Sequence, residues 1–263
     1  ESIKLLINEI FYVMDSHKLQ FELIIVNDGS VDNTINVLEN LSKKIKQLIV
    51  INLRKNYGQT AALAAGFDNL NGEIIVTLDG DLQNDPNDIP KLITKLNEGY
   101  DLICGWRFQR KDKLLNRRIP SKIANRLIGN VTGIHLHDYG CSLKAFKREI
   151  VDDIKLYGEL HRFLPVLANI EGATIKEIKV NHRSRKYGHS KYGIDRTFRV
   201  LMDLLTVWFM NKFLTRPMYV FGFVGIISII SSFIISSYLI VLKFFGENIG
   251  SRPLLIFALI LGI

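Results

Sequence analysis

The most informative stretch of the chain is Thr77-Leu78-Asp79-Gly80-Asp81-Leu82-Gln83, which follows the apolar run Glu73-Ile74-Ile75-Val76. The run predicts a buried strand, and residues two apart on a strand share a face, so Asp79 and Asp81 leave its end together. In an open α/β sheet, ligands bind at the carboxyl ends of the strands. Paired carboxylates there suit a hard divalent cation, which in turn suits a diphosphate. A solvated turn is the alternative, since Asp and Gly are common in turns.

On both sides of this stretch, strand-like runs alternate with helical patterns. The predicted strands are Phe21–Val26, Leu48–Leu53, Glu73–Leu78, Asp101–Gly105 and Ala173–Val180. The predicted helices between them are Asp32–Ile45, Thr60–Leu70 and Pro86–Asn97, and Asp85 before Pro86 is typical of a helix N-cap. The alternation predicts an α/β fold with a mostly parallel sheet and helices on both faces.

Composition narrows the function classes. The chain has 263 residues, a net charge of +8 and a pI near 9.4, so nucleic acid, an anionic membrane surface or phosphorylated substrates are its plausible partners.

The sequence has two cysteines, Cys104 and Cys141, which form no disulfide framework and fit a reducing compartment. Cys141 has no obvious activating histidine, which disfavours it as a nucleophile. The pair His135 and His137 is a weak metal candidate.

Several familiar motifs are absent from the sequence. There is no Gly-x-Gly-x-x-Gly, which weighs against a dinucleotide oxidoreductase, and no Walker A loop, which weighs against a P-loop NTPase. No Cys/His cluster has zinc spacing.

The C-terminal part has the composition of a membrane anchor. From Pro217 to Leu242 no residue is charged, and 26 residues at about 1.5 Å each reach about 39 Å, enough for a hydrocarbon core of roughly 30 Å. A second apolar run starts at Pro253 and stops after 11 residues. We therefore expect a transmembrane hairpin over residues 217–263 with a truncated second span. The chain begins with Glu1 and stops within this run, so we expect both of its ends to be cut.

Charge next to the span sets the expected topology. Eight Lys and Arg residues lie between Arg183 and Arg216, and fewer lie in the link after the span. The positive-inside rule then places the preceding domain, residues 1–193, in the cytoplasm. The segment 194–216 mixes apolar and basic residues and is read as an interfacial amphipathic helix, with a core helix as the alternative.

Two further loops follow predicted strands at the same edge of the sheet. Asp28 could accept hydrogen bonds from a base or ribose, and Gly29 would let a ligand approach the backbone. Arg54 and Lys55 follow the next strand and could meet phosphate oxygens. Ordinary strand-to-helix turns are the alternative for both loops.

These pieces, in order, resemble one family. The resemblance rests on Asn27-Asp28-Gly29-Ser30, Asn56-Tyr57-Gly58-Gln59-Thr60-Ala61-Ala62-Leu63, Leu78-Asp79-Gly80-Asp81-Leu82-Gln83-Asn84-Asp85-Pro86, Asp138-Tyr139-Gly140-Cys141-Ser142-Leu143-Lys144, and His182-Arg183-Ser184-Arg185 with Tyr187-Gly188-His189-Ser190-Lys191-Tyr192. The chain is similar to glycosyltransferase family 2, with the GT-A fold, and within it to the polyprenyl-phosphate branch that includes dolichol-phosphate mannose synthase and bactoprenol-phosphate glucosyltransferase. The family's first strand, with its Pro-x-Tyr-Asn-Glu segment, is missing from the sequence.

The resemblance implies a set of site residues. For the nucleotide sugar it implies Asp28, Gly29, Asn56, Gln59, Asp79, Arg185, Ser190 and Lys191. For a divalent metal, Mg²⁺ or Mn²⁺, it implies Asp81, Gln83 and Asp79. Candidates for the acceptor phosphate, which rest more on charge and position, are Arg107, Arg117, Arg118 and Arg162. Asp138 and Asp81 are the implied catalytic residues.

The implied reaction is the inverting transfer of a sugar from a UDP- or GDP-sugar to undecaprenyl or dolichyl phosphate. A phosphate monoester is already largely a dianion at pH 7, so it needs positioning more than a general base. We therefore expect Asp138 to orient the acceptor or its arginines, with base catalysis second. The expected location is a bacterial inner membrane.

Other functions stay open at this point. A polysaccharide synthase acting on a hydroxyl acceptor shares the motifs, although its usual Gln-x-x-Arg-Trp segment is absent from the sequence. An inactive sugar-nucleotide-binding membrane scaffold is a second alternative. Nucleic-acid binding is not expected, because the basic residues lie beside the predicted phosphate sites. Small residues in the span, such as Gly222 and Gly225, are compatible with a homo-oligomer.

Overall fold

The computed structural model describes residues 2–108, 119–184, 195–213, 216–250 and 253–263. Its strands are β1 (Leu23–Asn27), β2 (Leu48–Asn52), β3 (Ile74–Thr77), β4 (Leu102–Arg107), β5 (Lys144–Lys147) and β6 (Ile175–Val180). Its helices are α1 (Ser2–Ser16), α2 (Thr34–Ser42), α3 (Gln59–Phe67), α4 (Ile89–Leu96), α5 (Ile119–Thr132), α6 (Arg148–Asp153), α7 (Leu164–Ile170), α8 (Asp195–Phe213), α9 (Met218–Phe244) and α10 (Pro253–Gly262). Short 3₁₀ turns cover Pro86–Asp88 and Leu160–Phe163.

The chain divides into two compact units, residues 1–208 and 209–263. The first unit is α/β, as the sequence predicts. β1 and β2 form a parallel pair, and the other four strands form a sheet in the order β3-β5-β4-β6. β3 and β4 both run antiparallel to β5, and β6 runs parallel to β4. Three of the four strands therefore point the same way, and their carboxyl ends lie at one edge.

Strand β5 is the element that the sequence pattern misses. It has only four residues, with a lysine at each end, so it carries no apolar run. Its inner residues are nevertheless fully buried, because it lies in the middle of the sheet. β5 matters for the site because it directly follows the loop that carries Asp138 and Ser142.

The core lies between the helices and the sheet. Leu6 and Ile10 of α1 share a buried cluster with Leu92 and Leu96 of α4 and Ile103 of β4. Each of these side chains is almost completely withdrawn from water, and burial of a leucine or isoleucine contributes about 1.5 to 3 kcal/mol. This packing fixes the strand ends from which the site residues extend.

The predicted helix start at Asp85 is confirmed. Its side chain accepts a hydrogen bond from the backbone N–H of Asn87 at 3.1 Å, and Pro86 follows it as the first residue of the turn. The capped turn leads directly into α4, so the loop after β3 is held at both of its ends.

The second unit contains one helix that is long and apolar enough to cross a membrane. Helix α9 has 27 residues and a mean hydropathy of 2.3, and its most apolar part is not buried. Helix α10 is shorter and lies against it, with Ser232 Oγ donating to the Ala258 carbonyl at 2.7 Å. Large exposed side chains such as Phe221 and Phe233 show how much apolar surface this unit leaves uncovered.

Candidate active site

The turn after β3 presents the two predicted carboxylates. Asp79 accepts a hydrogen bond from Gln59 Nε2 at 2.9 Å, and Asp81 accepts one from the backbone N–H of Gln83 at 3.0 Å. Leu82 has a φ of 61°, a left-handed conformation that is uncommon for a residue other than glycine, asparagine or aspartate. This conformation tightens the turn and keeps both acidic residues at the end of β3.

The electrostatic surroundings of Asp79 favour a bound cation. Burial raises the pKa of its carboxyl above the ordinary value, and the charge of Asp81 raises it further. A hydrogen bond with Ser142 and the positive charges of Lys144 and Arg107 act in the opposite direction. Two carboxylates that repel each other in a partly buried site are stabilised by a divalent cation between them.

The donor set fits a metal that also binds phosphate. Within the described ranges, no group of three or more His, Cys, Asp and Glu side chains could hold a metal by itself. Mg²⁺ and similar ions are commonly held by one or two carboxylates together with substrate phosphates and water. Asp79 and Asp81 therefore fit a cation whose remaining ligands come from a diphosphate. Gln83, the third predicted ligand, donates through Nε2 to the Arg183 carbonyl at 3.4 Å.

Asp28 joins the loops that follow β1 and β2. Its two carboxylate oxygens accept hydrogen bonds from the backbone N–H groups of Tyr57 and Gly58, at 2.6 and 2.9 Å. Asn56 Nδ2 donates to the Asp28 carbonyl at 3.1 Å. A carboxylate has about four acceptor positions, so Asp28 can accept further hydrogen bonds beyond these two. Base or ribose binding by Asp28 stays a prediction.

The structure gives a reason for Gly29 that lies within the protein itself. Its φ is +67°, and a Cβ at this position would lie 2.5 Å from the backbone nitrogen of Asn56. Any larger residue would push the two loops apart. The loop after β2, rather than a ligand, is therefore what approaches Gly29. Arg54 and Lys55 of that loop are exposed.

The second charged centre lies at the end of β4. Arg107 donates through Nε to Asp138 Oδ2 at 2.6 Å and through Nη2 to Asp138 Oδ1 at 2.8 Å. The Asp138 side chain is only 3% exposed, and that of Arg107 is 16% exposed. Such a bidentate pair fixes the planes of both groups. Orientation of the acceptor or its arginines by Asp138 stays a prediction.

The loop between Asp138 and β5 connects the two centres. Ser142 bonds to Asp79 and also accepts from Asn84 Nδ2 at 2.8 Å, while its carbonyl accepts from Thr77 Oγ1 at 2.7 Å. The ammonium of Lys144 is buried and donates to the carbonyls of Tyr139 and Cys141. These contacts hold the loop against the end of β3, and the charge of Arg107 acts on Asp79, so the Asp79 and Asp138 regions lie next to each other.

Arg162 and its neighbour His161 lie in the 3₁₀ turn that precedes α7. His161 Nδ1 shares a hydrogen bond of 2.8 Å with Thr60 Oγ1 at the start of α3. Burial, together with the charges of Arg162 and Lys144, lowers the pKa of His161 to about 3, so this histidine is neutral at physiological pH. Gln59 precedes Thr60 and contacts Asp79. The hydrogen bond of His161 therefore holds the start of α3, from which Gln59 reaches Asp79. Sequence reasoning missed it because Thr60 and His161 are 101 residues apart.

A second loop is anchored next to the carboxylates. Arg183 Nη2 donates to Asp85 Oδ1 at 2.8 Å, and its Nη1 donates to Glu9 Oε2 at 2.6 Å. Asn181 Nδ2 also donates to Asp85, at 2.9 Å. The backbone that leads towards residue 185 is thereby fixed beside Gln83.

Five predicted residues lie outside the described residues. They are Arg117 and Arg118 of the basic segment, and Arg185, Ser190 and Lys191 of the later motif. Their roles remain predictions.

The two cysteines do not look like nucleophiles. Both are buried, and burial raises the pKa of Cys104 to about 12 and that of Cys141 to about 11. A thiol with so high a pKa is almost wholly protonated at neutral pH. This agrees with the sequence reading, which disfavoured Cys141.

Comparison with known proteins agrees with the geometry. Residues 1–155 match the model of the family described as glycosyl transferase family 2. Over 266 aligned residues, the chain is 44% identical to dodecaprenyl-phosphate galacturonate synthase of Rhizobium johnstonii, and the alignment covers 99% of this chain and 79% of that protein.

Solved structures show the same fold at low sequence identity. Glucosyl-3-phosphoglycerate synthase of Mycobacterium tuberculosis, in complex with Mn²⁺ and UDP-glucose, is similar with a TM-score of 0.59 and 19% identity, over 80% of this chain and 74% of that one. Its complex with Mn²⁺, UDP and glucosyl-3-phosphoglycerate gives a TM-score of 0.57 and 18% identity, over 80% and 75%. The fold is the GT-A fold, and the chain belongs to glycosyl transferase family 2.

Proposed function

We propose that this protein transfers a sugar from a nucleotide sugar to the phosphate of a polyprenyl phosphate, with inversion at the anomeric carbon. The observation that carries the proposal is the joining of two centres by one short loop: the Asp79 and Asp81 carboxylates on one side, and the Arg107–Asp138 pair on the other. The relative that makes a dodecaprenyl-phosphate sugar supports this class of acceptor.

On the donor side, the difficult step is departure of the nucleoside diphosphate. Asp79 and Asp81 would hold a divalent cation, Mg²⁺ or Mn²⁺, with Gln83 beside them, and such a cation stabilises the negative charge that builds on the leaving oxygen. Gln59 holds Asp79 in place through its amide. We expect Asp28 and Asn56 to shape the pocket for the nucleoside, while Gly29 lets their two loops lie in contact. The residues expected to contact the diphosphate are Arg185, Ser190 and Lys191.

On the acceptor side, the nucleophile is a phosphate oxygen. Arg107 would attract and orient the acceptor phosphate, and Asp138 would hold the guanidinium in the correct plane. Arg117, Arg118 and Arg162 are further candidates for the same phosphate. In-line attack opposite the leaving group converts an α-linked donor into a β-linked lipid phosphosugar. Because the acceptor is already largely a dianion at pH 7, no proton has to be removed from it in this step.

The membrane assignment follows from the second unit. The length and hydropathy of α9 fit a membrane span, and α10 would begin a second one. With the basic residues before the span on the inside, the α/β unit would work in the cytoplasm at a bacterial inner membrane. That is the side on which a cytoplasmic nucleotide sugar and a lipid phosphate headgroup can meet.

The segment 194–216 would then lie at the interface between the membrane and water. Within α8, Leu205 and Trp208 are exposed, whereas Leu204 and Val207 are buried.

The donor sugar to test first is a hexuronic acid carried by UDP. A galacturonate product is what the 44% identical relative is named for, and UDP is the nucleotide in the solved structures of similar fold.

The proposal is tested by incubating membranes that contain the full chain with undecaprenyl phosphate and radiolabelled UDP-galacturonate. UDP-glucose and GDP-mannose serve as parallel donors. We expect a labelled lipid that can be extracted into organic solvent and that forms only in the presence of Mg²⁺ or Mn²⁺. Mild acid should release the labelled sugar from this lipid. Label that enters a polysaccharide instead would indicate a hydroxyl acceptor. Donor binding with no transfer in any arm would indicate a scaffold, and either result would overturn the proposal.

A further inference from the structure

Glu177 in β6 binds the backbone of the loop that carries Asp138. Its Oε1 accepts from the backbone N–H of Asp138 at 2.9 Å. Its Oε2 accepts from the backbone N–H of His137 at 3.0 Å and lies 2.7 Å from His137 Nδ1. The Glu177 side chain is only 10% exposed. One carboxylate therefore fixes two successive peptide groups directly at the candidate catalytic residue.

Glu177 is itself held on a rigid platform. It lies opposite Cys104 in the parallel pairing of β4 and β6, and Arg107 ends the same run of β4. Asp138 is thus held from two neighbouring strands, through its peptide group by Glu177 and through its carboxylate by Arg107. Because the two strands are paired over six positions, the spacing between these two anchors is set by the sheet.

The residue next to Asp138 is fixed in a further way. The His137 ring stacks on the Trp106 ring, with 4.0 Å between centroids and 15° between planes. Lys179 Nζ lies 5.5 Å from the centroid of the same tryptophan, on the strand that carries Glu177. The stack holds the His137 ring against Trp106 of β4, next to the peptide group that Glu177 binds.

We propose that Glu177 is a positioning residue for the acceptor phosphate: it fixes the backbone at His137 and Asp138, and through the Asp138 carboxylate it sets the plane of the Arg107 guanidinium. The inference rests on the proposed function, because it takes Arg107 as the group that receives the lipid phosphate. In this proposal Glu177 acts on the phosphate only through Asp138 and Arg107.

The chemistry of the contact determines the expected effect. A carboxylate that accepts from backbone N–H groups makes charge-assisted hydrogen bonds, which are shorter and stronger than those between neutral groups. Glu177→Gln keeps the shape but places an NH₂ group against one set of N–H donors. The loop then moves to relieve that contact, and the bidentate fit of Asp138 to Arg107 is lost.

The experiment measures steady-state transfer by the full chain in membranes, with the acceptor and the donor varied separately. We expect Glu177→Gln to raise the KM for undecaprenyl phosphate about tenfold, as a loss of about 1.4 kcal/mol would, and to leave the KM for the nucleotide sugar within about twofold. Glu171→Gln, which removes an exposed carboxylate just before β6, is the matched control and should behave as the wild type.

A double-mutant cycle separates positioning from simple structural support. If Glu177 acts through Asp138, the combination of Glu177→Gln with Asp138→Asn should cost little more than Asp138→Asn alone. Additive losses, or equal changes in both KM values with a lowered melting temperature, would overturn the inference. Failure of the wild type to glycosylate the lipid phosphate would instead count against the proposed function, so the two failures are distinct.

Discussion

The two sides of the candidate site hold their carboxylates in different ways. Asp79 and Asp81 accept hydrogen bonds from neutral donors, a glutamine amide and a backbone N–H. Asp138 instead pairs with the guanidinium of Arg107 through both of its oxygens. Burial and the charge of Asp81 disfavour the charged form of Asp79, and a bound cation would offset that cost, whereas Asp138 is already paired with a cation of the protein itself. This difference underlies the proposal that similar acidic residues serve separate tasks, cation binding on one side and orientation of an arginine on the other.

The largest effect is expected from removal of the cation ligand. Asp81→Ala should lower transfer by about 10³-fold or more, because the stabilisation of the leaving group by a cation is worth several kcal/mol. Its melting temperature should stay close to that of the wild type, since Asp81 is not part of the hydrophobic core. Labelled lipid product and thermal melts measure the two effects, and Asp68→Ala, an exposed residue after α3, is the control. Unchanged turnover in Asp81→Ala would remove the metal assignment.

A smaller loss, about 10²-fold, is expected from Asp138→Asn, with little dependence on pH between about 6 and 9. Positioning of Arg107 does not require a proton transfer, whereas loss of a general base is partly compensated as hydroxide rises. The measurement is a pH profile of transfer for the variant and the wild type. Activity that returns steadily as the pH rises would show that Asp138 acts as a base, and the contrast between the two sides would then be wrong.

The contact between His161 and Thr60 should affect how the stability of the protein depends on pH. The folded pKa of His161, about 3, lies below its unfolded value, so protons bind to the unfolded chain first as the pH falls below about 6.5. Stability should therefore fall by up to about 1.4 kcal/mol per pH unit from about pH 6 to pH 4. His161→Asn retains an amide near Thr60 but cannot titrate, so its melting temperature should fall less over this range. Parallel pH curves for the two proteins would contradict the assignment.

The smallest effect concerns a carboxylate outside the site. Asp101 pairs with Lys147 at 2.6 Å, and this pairing, with hydrogen bonds from Thr174, lowers its pKa to about 2. Asp101→Asn should cost about 1 to 2 kcal/mol at pH 7. The cost should shrink as the pH falls from about 4 through 2, where the folded-state carboxyl takes up its proton. Transfer at neutral pH should be nearly unchanged, and a large loss of activity would show that stability alone can mimic the effects of the site variants.

The sequence locates Asp28 and Asp79 in the fold better than it locates the Arg107–Asp138 pair, for a physical reason. Asp28 and Asp79 each follow a continuous apolar run, so their place at the sheet edge can be read locally. Arg107 and Asp138 were each identifiable as candidates, but their pairing depends on β5 returning between β3 and β4. A four-residue strand with a lysine at each end gives no local signal.

The residues that support the site were the hardest to predict. Thr60 and His161 meet across 101 residues, and Glu177 reaches its partners from a strand that follows two further helices. Such contacts are decided by packing of the whole sheet, and a lone histidine or glutamate carries no mark of them. Helix α9 is the opposite case, since length and hydropathy alone make it a candidate membrane span.

The contrast between the two sides is tested most directly by titrating UDP into purified full-length protein with and without Mn²⁺, for the wild type, Asp81→Ala and Asp138→Asn. We expect Asp81→Ala to lose the Mn²⁺-dependent part of UDP binding, and Asp138→Asn to bind UDP as the wild type does yet to transfer sugar poorly. Normal Mn²⁺-dependent binding of UDP by Asp81→Ala would contradict the role proposed for Asp81.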